Sequence, residues 1–300
     1  MTSLMITGAG GQLGTDLMAA AAAAGKQATG FTSSGLDITD ADAVEHQVAA
    51  WARAADRDGE RAVLINAAAY TAVDAAESDV DRAYAVNERG PRNLAESAAR
   101  HGSRLIHLST DYVFPGVDRG ERPYDVDDPT GPRSVYGASK LAGERAVLIA
   151  HPAAQVVRTA WVYGAGGPNF VKTMARMTLT HPTVSVVDDQ RGSPTWSADL
   201  AAGLLQLAGR ELPGGVLHAT NSGDTSWFGF ARAIYAELGL DPARVHPIGS
   251  DEFPRPAPRP AYSVLSQKSW IDSGLSPLRP WCDALAAALS ADRSAYLPAG

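Results

Sequence analysis

The sequence predicts an α/β fold: a Rossmann-type, doubly wound parallel sheet with a smaller C-terminal substrate-binding lobe. Three observations carry this expectation. Short, wholly apolar runs alternate with helical stretches through the first half, a glycine-spaced loop follows the first run, and the later polar motifs fall just after apolar runs. Continuous apolar strands separated by helices imply a parallel sheet covered on both faces. Ligands of such sheets bind at the carboxyl ends of the strands.

Taken in order, residues 4–7 read as the first buried strand and 12–24 as a helix. Residues 27–31 read as the second strand, followed by a helix capped near Thr39 and Asp40. Then come a strand at 63–66, a helical stretch at 80–101 and a strand at 104–109. From about residue 155 the pattern loosens. Residues 155–163 read as a strand, 170–180 as a helix and 183–187 as a strand. Two further helices, 198–208 and 227–238, each follow a serine placed to cap them. Residues 253–260 hold four prolines in eight positions and are expected to form an extended loop, and a last helix follows Pro280. The expected division is a Rossmann-type domain over 1–154, to which some later segments return, and a mainly substrate-binding lobe over 155–300.

At 300 residues the chain can bury a sizeable core. A net charge of -7 argues against a nucleic-acid or acidic-membrane partner, although a local cluster of donors can still bind phosphate. The single cysteine, Cys282, excludes an internal disulfide and reads as a small core residue. Met1 runs directly into an apolar strand, and the longest apolar run, 18–24, is well short of a membrane span. A cytoplasmic protein without a signal peptide is expected.

The loop Thr7-Gly8-Ala9-Gly10-Gly11-Gln12-Leu13-Gly14 sits between the first strand and the first helix. Gly8 suits the tight turn, Gly11 lets backbone approach a pyrophosphate, and Gly14 lets helix and strand pack closely. The free N–H groups of the opening helix face the anion. The second strand ends Phe31-Thr32-Ser33-Ser34, with neither the carboxylate that binds an NAD ribose nor an arginine. Hydroxyls can donate to a 2′-phosphate, so NADPH is favoured and NADH stays possible.

Tyr136-Gly137-Ala138-Ser139-Lys140 places a tyrosine and a lysine four apart on one helical face. An adjacent ammonium favours phenolate and is expected to lower the Tyr136 pKa, making it a usable general acid. Thr110, in Ser109-Thr110-Asp111 after the fourth strand, brings a hydroxyl to the same cleft. Reducing a ketone needs hydride at carbon and a proton at oxygen. Nicotinamide supplies the first; Tyr136 would supply the second, Thr110 would polarise the carbonyl, and Lys140 would tune Tyr136 and hold the nicotinamide ribose.

Several segments together closely resemble the dTDP-4-dehydrorhamnose reductase family of extended short-chain dehydrogenase/reductases. They are Gly11 to Gly14, Asn66-Ala67-Ala68-Ala69-Tyr70-Thr71-Ala72-Val73-Asp74, Ser109-Thr110-Asp111-Tyr112-Val113-Phe114, Tyr136 through Glu144, and Arg158-Thr159-Ala160-Trp161-Val162-Tyr163-Gly164. Asp189-Gln190-Arg191-Gly192-Ser193-Pro194-Thr195 and Pro256-Ala257-Pro258-Arg259-Pro260 extend the resemblance over nearly the whole chain. It implies reduction of the C4 ketone of dTDP-4-dehydro-β-L-rhamnose to dTDP-β-L-rhamnose. It also implies that Gly11, Gln12 and Leu13 line the pyrophosphate, that Asp37 and Ile38 border the adenine, and that Ala68, Ala69 and Tyr70 lie along the cofactor. Thr110, Asp111 and Trp161 would contact the sugar nucleotide, and Arg259 would suit its diphosphate.

Two positions depart from the family pattern: Ser134 and Tyr262 stand where asparagines are usual. Some members form a metal-linked dimer. Asp16 and Asp199 fall where shorter versions of such ligands could sit, so a Mg ion is left open while no metal ligand is assigned, and the chain is expected to be a monomer or a homodimer. A sugar-nucleotide epimerase or dehydratase that recycles its nicotinamide is an open alternative, as is an NADP-binding regulatory subunit without turnover.

Overall fold

A computed structural model of the chain describes residues 2–117, 120 and 122–297. The chain opens with strand β1 (Thr2–Thr7), helix α1 (Gln12–Ala23), β2 (Ala28–Phe31), α2 (Ala41–Arg57) and β3 (Arg61–Asn66). Short helices α3 (Val73–Ala76) and α4 (Val80–Tyr84) lead through a π-helical turn, Ala85–Arg89, into α5 (Gly90–Arg100). Then come β4 (Arg104–Thr110), α6 (Val135–Ala150), β5 (Gln155–Thr159), β6 (Val162–Tyr163) and α7 (Phe170–Thr180). The chain continues through β7 (Val184–Val187), β8 (Arg191–Gly192), β9 (Thr195–Trp196), α8 (Ser197–Ala208) and β10 (Gly215–His218). It ends with β11 (Thr225–Ser226), α9 (Trp227–Glu237), β12 (Val245–Ile248), α10 (Lys268–Asp272), α11 (Trp281–Ala291) and α12 (Arg293–Tyr296).

Six strands form one parallel sheet in the order β10-β5-β4-β3-β1-β2. The expected doubly wound architecture is present, with its topological switch between β1 and β3, where a ligand crevice opens. Leu4, Ile6, Val63 and Ile65 pack on one face against Leu17 and Ala21 of α1 and Leu200 and Leu204 of α8. Met5, Leu64 and Leu105 pack on the other against Val44 and Val48 of α2 and Leu94 of α5. The second half therefore returns repeatedly to this sheet, with β5 and β10 as strands, α8 as a covering helix and Trp270 of α10 packed into the same core. A separate apolar cluster joins α7, β7, α9, β12 and α11 around Met174, Phe230, Ile234 and Tyr235.

Local chemistry explains several element boundaries. The Asp40 carboxylate accepts from the N–H groups of Asp42 and Ala43 and starts α2; Ser226 accepts from Gly229 N and starts α9. The other expected serine cap is not one. Helix α8 begins at Ser197 itself, and the Ser197 hydroxyl donates to Asp16 on α1, fastening the two helices together.

Three further expectations are corrected. The helix at 80–101 contains the π-helical turn, in which the fully buried Asn87 turns inward to bond Tyr70 and Ser139. The strand at 155–163 stops at Thr159, because Trp161 takes a left-handed backbone (φ 46°) and sends the chain out of the sheet. Cys282 is exposed on α11 and is not a core residue.

Helix α6 is fixed to the sheet by an ion pair. Arg158 of β5 grips Glu144 of α6 with both arms of its fork (Nε–Oε1 2.9 Å, Nη2–Oε2 2.7 Å), and both side chains are almost completely buried. Gly143 lets the helix approach the π turn, since a Cβ there would lie 2.0 Å from the Asn87 carbonyl. Breaking a buried pair by removing one partner leaves an uncompensated charge. Glu144→Ala is therefore expected to destabilise the fold by about 3–5 kcal/mol in urea unfolding. The double replacement Arg158→Met with Glu144→Leu should recover most of that loss; equal losses for the single and double variants would refute the role of the pair.

Candidate active site

The carboxyl ends of β1, β2 and β3 enclose a cleft of about 510 Å³ at the switch point. Gly8 takes φ 74°, and a Cβ there would meet the Ala68 backbone nitrogen at 2.6 Å. A Cβ on Gly14 would lie 2.1 Å from the Gly8 carbonyl. These two glycines make the turn and the close helix packing that the spacing predicts, and Gly11 lines the cleft beside Gly8. Asp37, Ile38, Ala68 and Ala69 line it as well. Asp37 is occupied locally: the Thr39 N–H and hydroxyl both donate to it, which holds its carboxyl below the usual range.

Gln12, Leu13, Gly14, Tyr70, Tyr136 and Lys140 are not among the cleft's lining residues. Gln12 faces the second half of the chain, where it donates to the Val162 carbonyl (2.8 Å) and accepts from Asn169 (3.0 Å). Leu13 packs into the core. Tyr70 is held by Asn87, whose Oδ1 accepts from Tyr70 N (2.9 Å), and packs in the small cluster around Tyr136. Gly10, Leu36, Ala67 and Val86 line the cleft and were not singled out. Thr32 and Ser33, considered only for cofactor choice, do so too. Val86 could not have been found from spacing, because the π turn brings it there.

Beneath the cleft runs a buried polar chain. Asn66 Oδ1 accepts from the Thr7 hydroxyl (2.8 Å) and Ala68 N (3.1 Å), so its amide nitrogen is the donor to His107 Nδ1 (3.0 Å). His107 is thereby the neutral Nε2–H tautomer, and burial, with Lys140 nearby, holds its pKa well below the ordinary value.

Thr110 ends β4. Its hydroxyl donates to Asp111 Oδ1 (2.9 Å) and accepts from Tyr112 N (3.2 Å), which caps a single 3-10 turn. Tyr136 and Lys140 lie on α6, whose first turn is organised by Ser134. The Ser134 hydroxyl accepts from Gly137 N (3.1 Å), while Glu77 accepts from Val135 N (2.8 Å). Serine and asparagine are near-equal N-caps, so the departure at Ser134 keeps the helix start intact. Tyr262 is a core side chain packed with Tyr124, Phe114 and Leu265. Its neighbour Ser263, which sequence reading passed over, hydrogen-bonds Asp111.

Burial dominates the electrostatics. The Tyr136 phenol is pushed up to about 12 by burial; a Thr110 hydrogen bond lowers it and the Asp111 charge raises it. Lys140 is lowered to about 8 by burial, partly offset by Glu144, and its ammonium donates to the Leu108 carbonyl (2.6 Å). The expected lowering of Tyr136 by Lys140 is thus absent: the lysine is turned to the backbone and desolvation wins. Asp111, also buried, is raised to about 6, with Ser263 and Thr110 hydrogen bonds opposing the burial.

Tyr112 packs edge-on against Tyr136 (ring centroids 5.5 Å) and lines a second cavity of about 370 Å³. Phe170, Met174, Gln190, Trp227, Arg255 and Arg259 also line it. Trp161 stacks flat on Trp227 (3.5 Å, 7°), and Gly192 leaves room for its indole. Arg259 pairs with Asp74 (2.9 Å). Asp16 accepts from Ser197, and Asp199 pairs with Arg279 (2.9 Å) and Asn221 (2.8 Å), so both carboxylates are engaged within the chain.

The family described as the RmlD substrate binding domain matches residues 1–294. The dTDP-4-dehydrorhamnose reductase of Mycobacterium tuberculosis is 55% identical over 291 residues, 96% of this chain and 92% of that protein. The enzyme of the same name from Mycolicibacterium smegmatis is 52% identical over 96% of this chain and 85% of its own length. Among solved structures, dTDP-4-dehydrorhamnose reductase from Bacillus anthracis in complex with NADP superposes with a TM-score of 0.90 at 37% identity, covering 97% of this chain and all of that one. With its parallel sheet, its glycine cleft and these relatives along its length, the chain belongs to the RmlD substrate binding domain family.

Proposed function

We propose that the chain is a dTDP-4-dehydrorhamnose reductase. It reduces the C4 ketone of dTDP-4-dehydro-β-L-rhamnose to dTDP-β-L-rhamnose with NADPH, in the cytoplasm. The observation that carries this reading is the buried Thr110, Asp111, Tyr136 cluster: Tyr136 packs with Tyr70, which follows the cleft-lining Ala69 in the chain, and with Tyr112, which lines the second cavity. It is supported by the M. tuberculosis relative named for that activity and by the B. anthracis relative solved with NADP.

The cleft fits a dinucleotide: Gly8, Gly10 and Gly11 line it with backbone and no side chain, and Thr32 and Ser33 offer hydroxyls at the end of β2. Bound there, NADPH supplies the hydride. Gly8 and Gly11 would lie against its diphosphate and Asp37 and Ile38 against its adenosine, while Lys140 would hold the nicotinamide ribose. With neither a carboxylate nor an arginine at the end of β2, NADH is a second, weaker donor.

The chain's own residues handle the proton. Tyr136, at about 12, keeps its proton across the working range. An alkoxide is the stronger base, since its conjugate acid is about as weak as water and a far weaker acid than the phenol. Transfer from Tyr136 to the nascent C4 oxygen is therefore downhill even though the phenol is hard to ionise. Thr110 contributes a hydroxyl at the same oxygen and reorients from Asp111 to do so. The residues after 154 that line the second cavity would hold the nucleotide and sugar.

Tyr136→Phe removes the phenol hydroxyl, and with it the transferable proton and the hydrogen bond to Thr110. It is expected to lower kcat by roughly 10²–10⁴-fold while NADPH affinity stays within a few-fold. Sustained NADPH oxidation with dTDP-4-dehydrorhamnose, followed by absorbance, checks the reading. Product without net oxidation would indicate an epimerase, and NADPH binding without reaction a regulatory subunit.

Asp111 gives a pH test. Its folded pKa lies above its unfolded value, so the folded state binds the proton more tightly. The group costs stability in full above about pH 6, and the cost fades as pH falls from 6 toward 3.8. Asp111→Asn should therefore raise stability at pH 8, on the order of 2–3 kcal/mol, and the gain should shrink as pH drops below 6. A gain that does not vary with pH in thermal melts would contradict the buried charge.

A further inference from the structure

The proline-rich segment 253–260 carries two arginines, and both reach the same carboxylate. Asp74 stands on α3, at the end of the segment that follows β3. Its Oδ2 pairs with Arg255 Nη2 (2.7 Å), and its Oδ1 takes Arg259 Nη2 (2.9 Å) and the Ala257 N–H (3.3 Å). Arg259 also donates from Nη1 to the Ala257 carbonyl (3.1 Å), and the Arg255 guanidinium lies over the Phe253 ring at 5.3 Å. Both arginines line the second cavity beside Tyr112 and Trp227.

The charge does not balance. One carboxylate faces two guanidiniums, which leaves a positive surplus at the cavity wall of a chain whose net charge is -7. Burial alone would raise the Asp74 carboxyl, but the Ala257 N–H and the two arginines hold it below its usual range, so it stays ionised and keeps its grip. The prolines fix φ along the segment, so little chain entropy remains to be lost when an anion binds. Two forks brought to adjacent oxygens of one anion are spaced to serve adjacent oxygens of another, and guanidinium geometry matches phosphate. Arg255 is 44% exposed and Arg259 17%, so the pair is neither sealed in the core nor free in solvent.

The placement also ties this wall to the reacting centre. Glu77, three residues after Asp74, accepts from Val135 N at the start of α6, one residue before Tyr136. The short segment 73–77 thus holds the arginine-bearing loop with one carboxylate and the Tyr136 helix with another.

We propose that Asp74 is a positioning residue that sets Arg255 and Arg259 as a two-guanidinium clamp for the diphosphate of the sugar nucleotide, with Arg255 as a phosphate contact additional to Arg259. This rests on the reading of the substrate as a dTDP-sugar. Asp74 does not touch the substrate; it aims the two side chains that do.

The test is titration calorimetry of dTDP, with thymidine as a phosphate-free control, on the full chain saturated with NADP. Arg255→Ala should weaken dTDP binding by roughly 5–20-fold and leave thymidine within two-fold. Asp74→Asn keeps the side-chain shape and should weaken dTDP by roughly 3–10-fold. The double variant should be little worse than the poorer single, because both changes disable one device. In turnover the single variants should raise KM for the sugar nucleotide far more than they lower kcat. Unchanged dTDP affinity in Arg255→Ala would overturn the clamp. So would equal losses for dTDP and thymidine, or tighter dTDP binding in Asp74→Asn, which would make Asp74 a competitor of phosphate. A wild-type chain that binds no dTDP would overturn the substrate reading, and the clamp with it.

Discussion

Helix α6 carries both Tyr136 and Lys140, and the buried pair between Glu144 and Arg158 decides where that helix lies. Neither charge could be buried alone at tolerable cost. Each is satisfied only when α6 is seated over β5, and the two-armed geometry fixes rotation as well as distance. The other restraints act on the same helix from different directions. Glu77 and Ser134 hold its first turn, Gly143 lets it press against the Asn87 carbonyl, and the Ser139 hydroxyl bridges Asn87 to the Tyr136 carbonyl. An active-site helix located by polar contacts is more specified than one located by apolar packing alone, because each polar partner has a single acceptable position.

The polar groups at the reacting centre are costly to the fold. Asp111, Lys140 and His107 are all almost fully buried and displaced toward their neutral forms, while Tyr136 is displaced away from ionisation. The common direction has one cause: desolvation opposes charge whatever its sign. Such a site suits a reaction in which a neutral acid meets a developing oxyanion. It would suit poorly one that needs a resting phenolate. The Thr110 hydroxyl belongs to the same logic, since Asp111 keeps that buried donor aimed and satisfied.

The parallel sheet was legible because strands covered on both faces must be apolar throughout, and Leu4 to Ile6 and Val63 to Ile65 have no alternative partner. The motifs were legible for the opposite reason: glycines and hydroxyls interrupt that pattern only where a ligand or a turn demands it. What escaped was context. Ser197 carries every local mark of a cap, yet Asp16, distant in sequence, takes its hydroxyl. The helix over 80–101 has a regular pattern, and its π turn follows from the burial of Asn87, a tertiary demand. Lys140 sits one helical turn from Tyr136, as the spacing implies, but a backbone carbonyl from β4 claims its ammonium. Cys282 is small and apolar, and only the packing of α11 decides that its side faces out.

The seam between the sheet and the second apolar cluster is built from the same economy. After β5 the chain must leave the sheet, and it does so at Trp161, a bulky residue in the left-handed region, where strain of roughly 1–3 kcal/mol is usual. That conformation persists because its surroundings hold it: the Trp161 carbonyl accepts from Thr195 N, the indole lies flat on Trp227, and Gly192 yields the space beside it. Gln12, in the first turn of α1, closes the seam from the cofactor side through Val162 and Asn169. A residue expected at the pyrophosphate instead joins α1 to Val162 of β6 and to Asn169, the cap of α7. The glycine loop, the strand end at Thr110 and the strained Trp161 are thus joined by contiguous contacts through α1, β5 and β6.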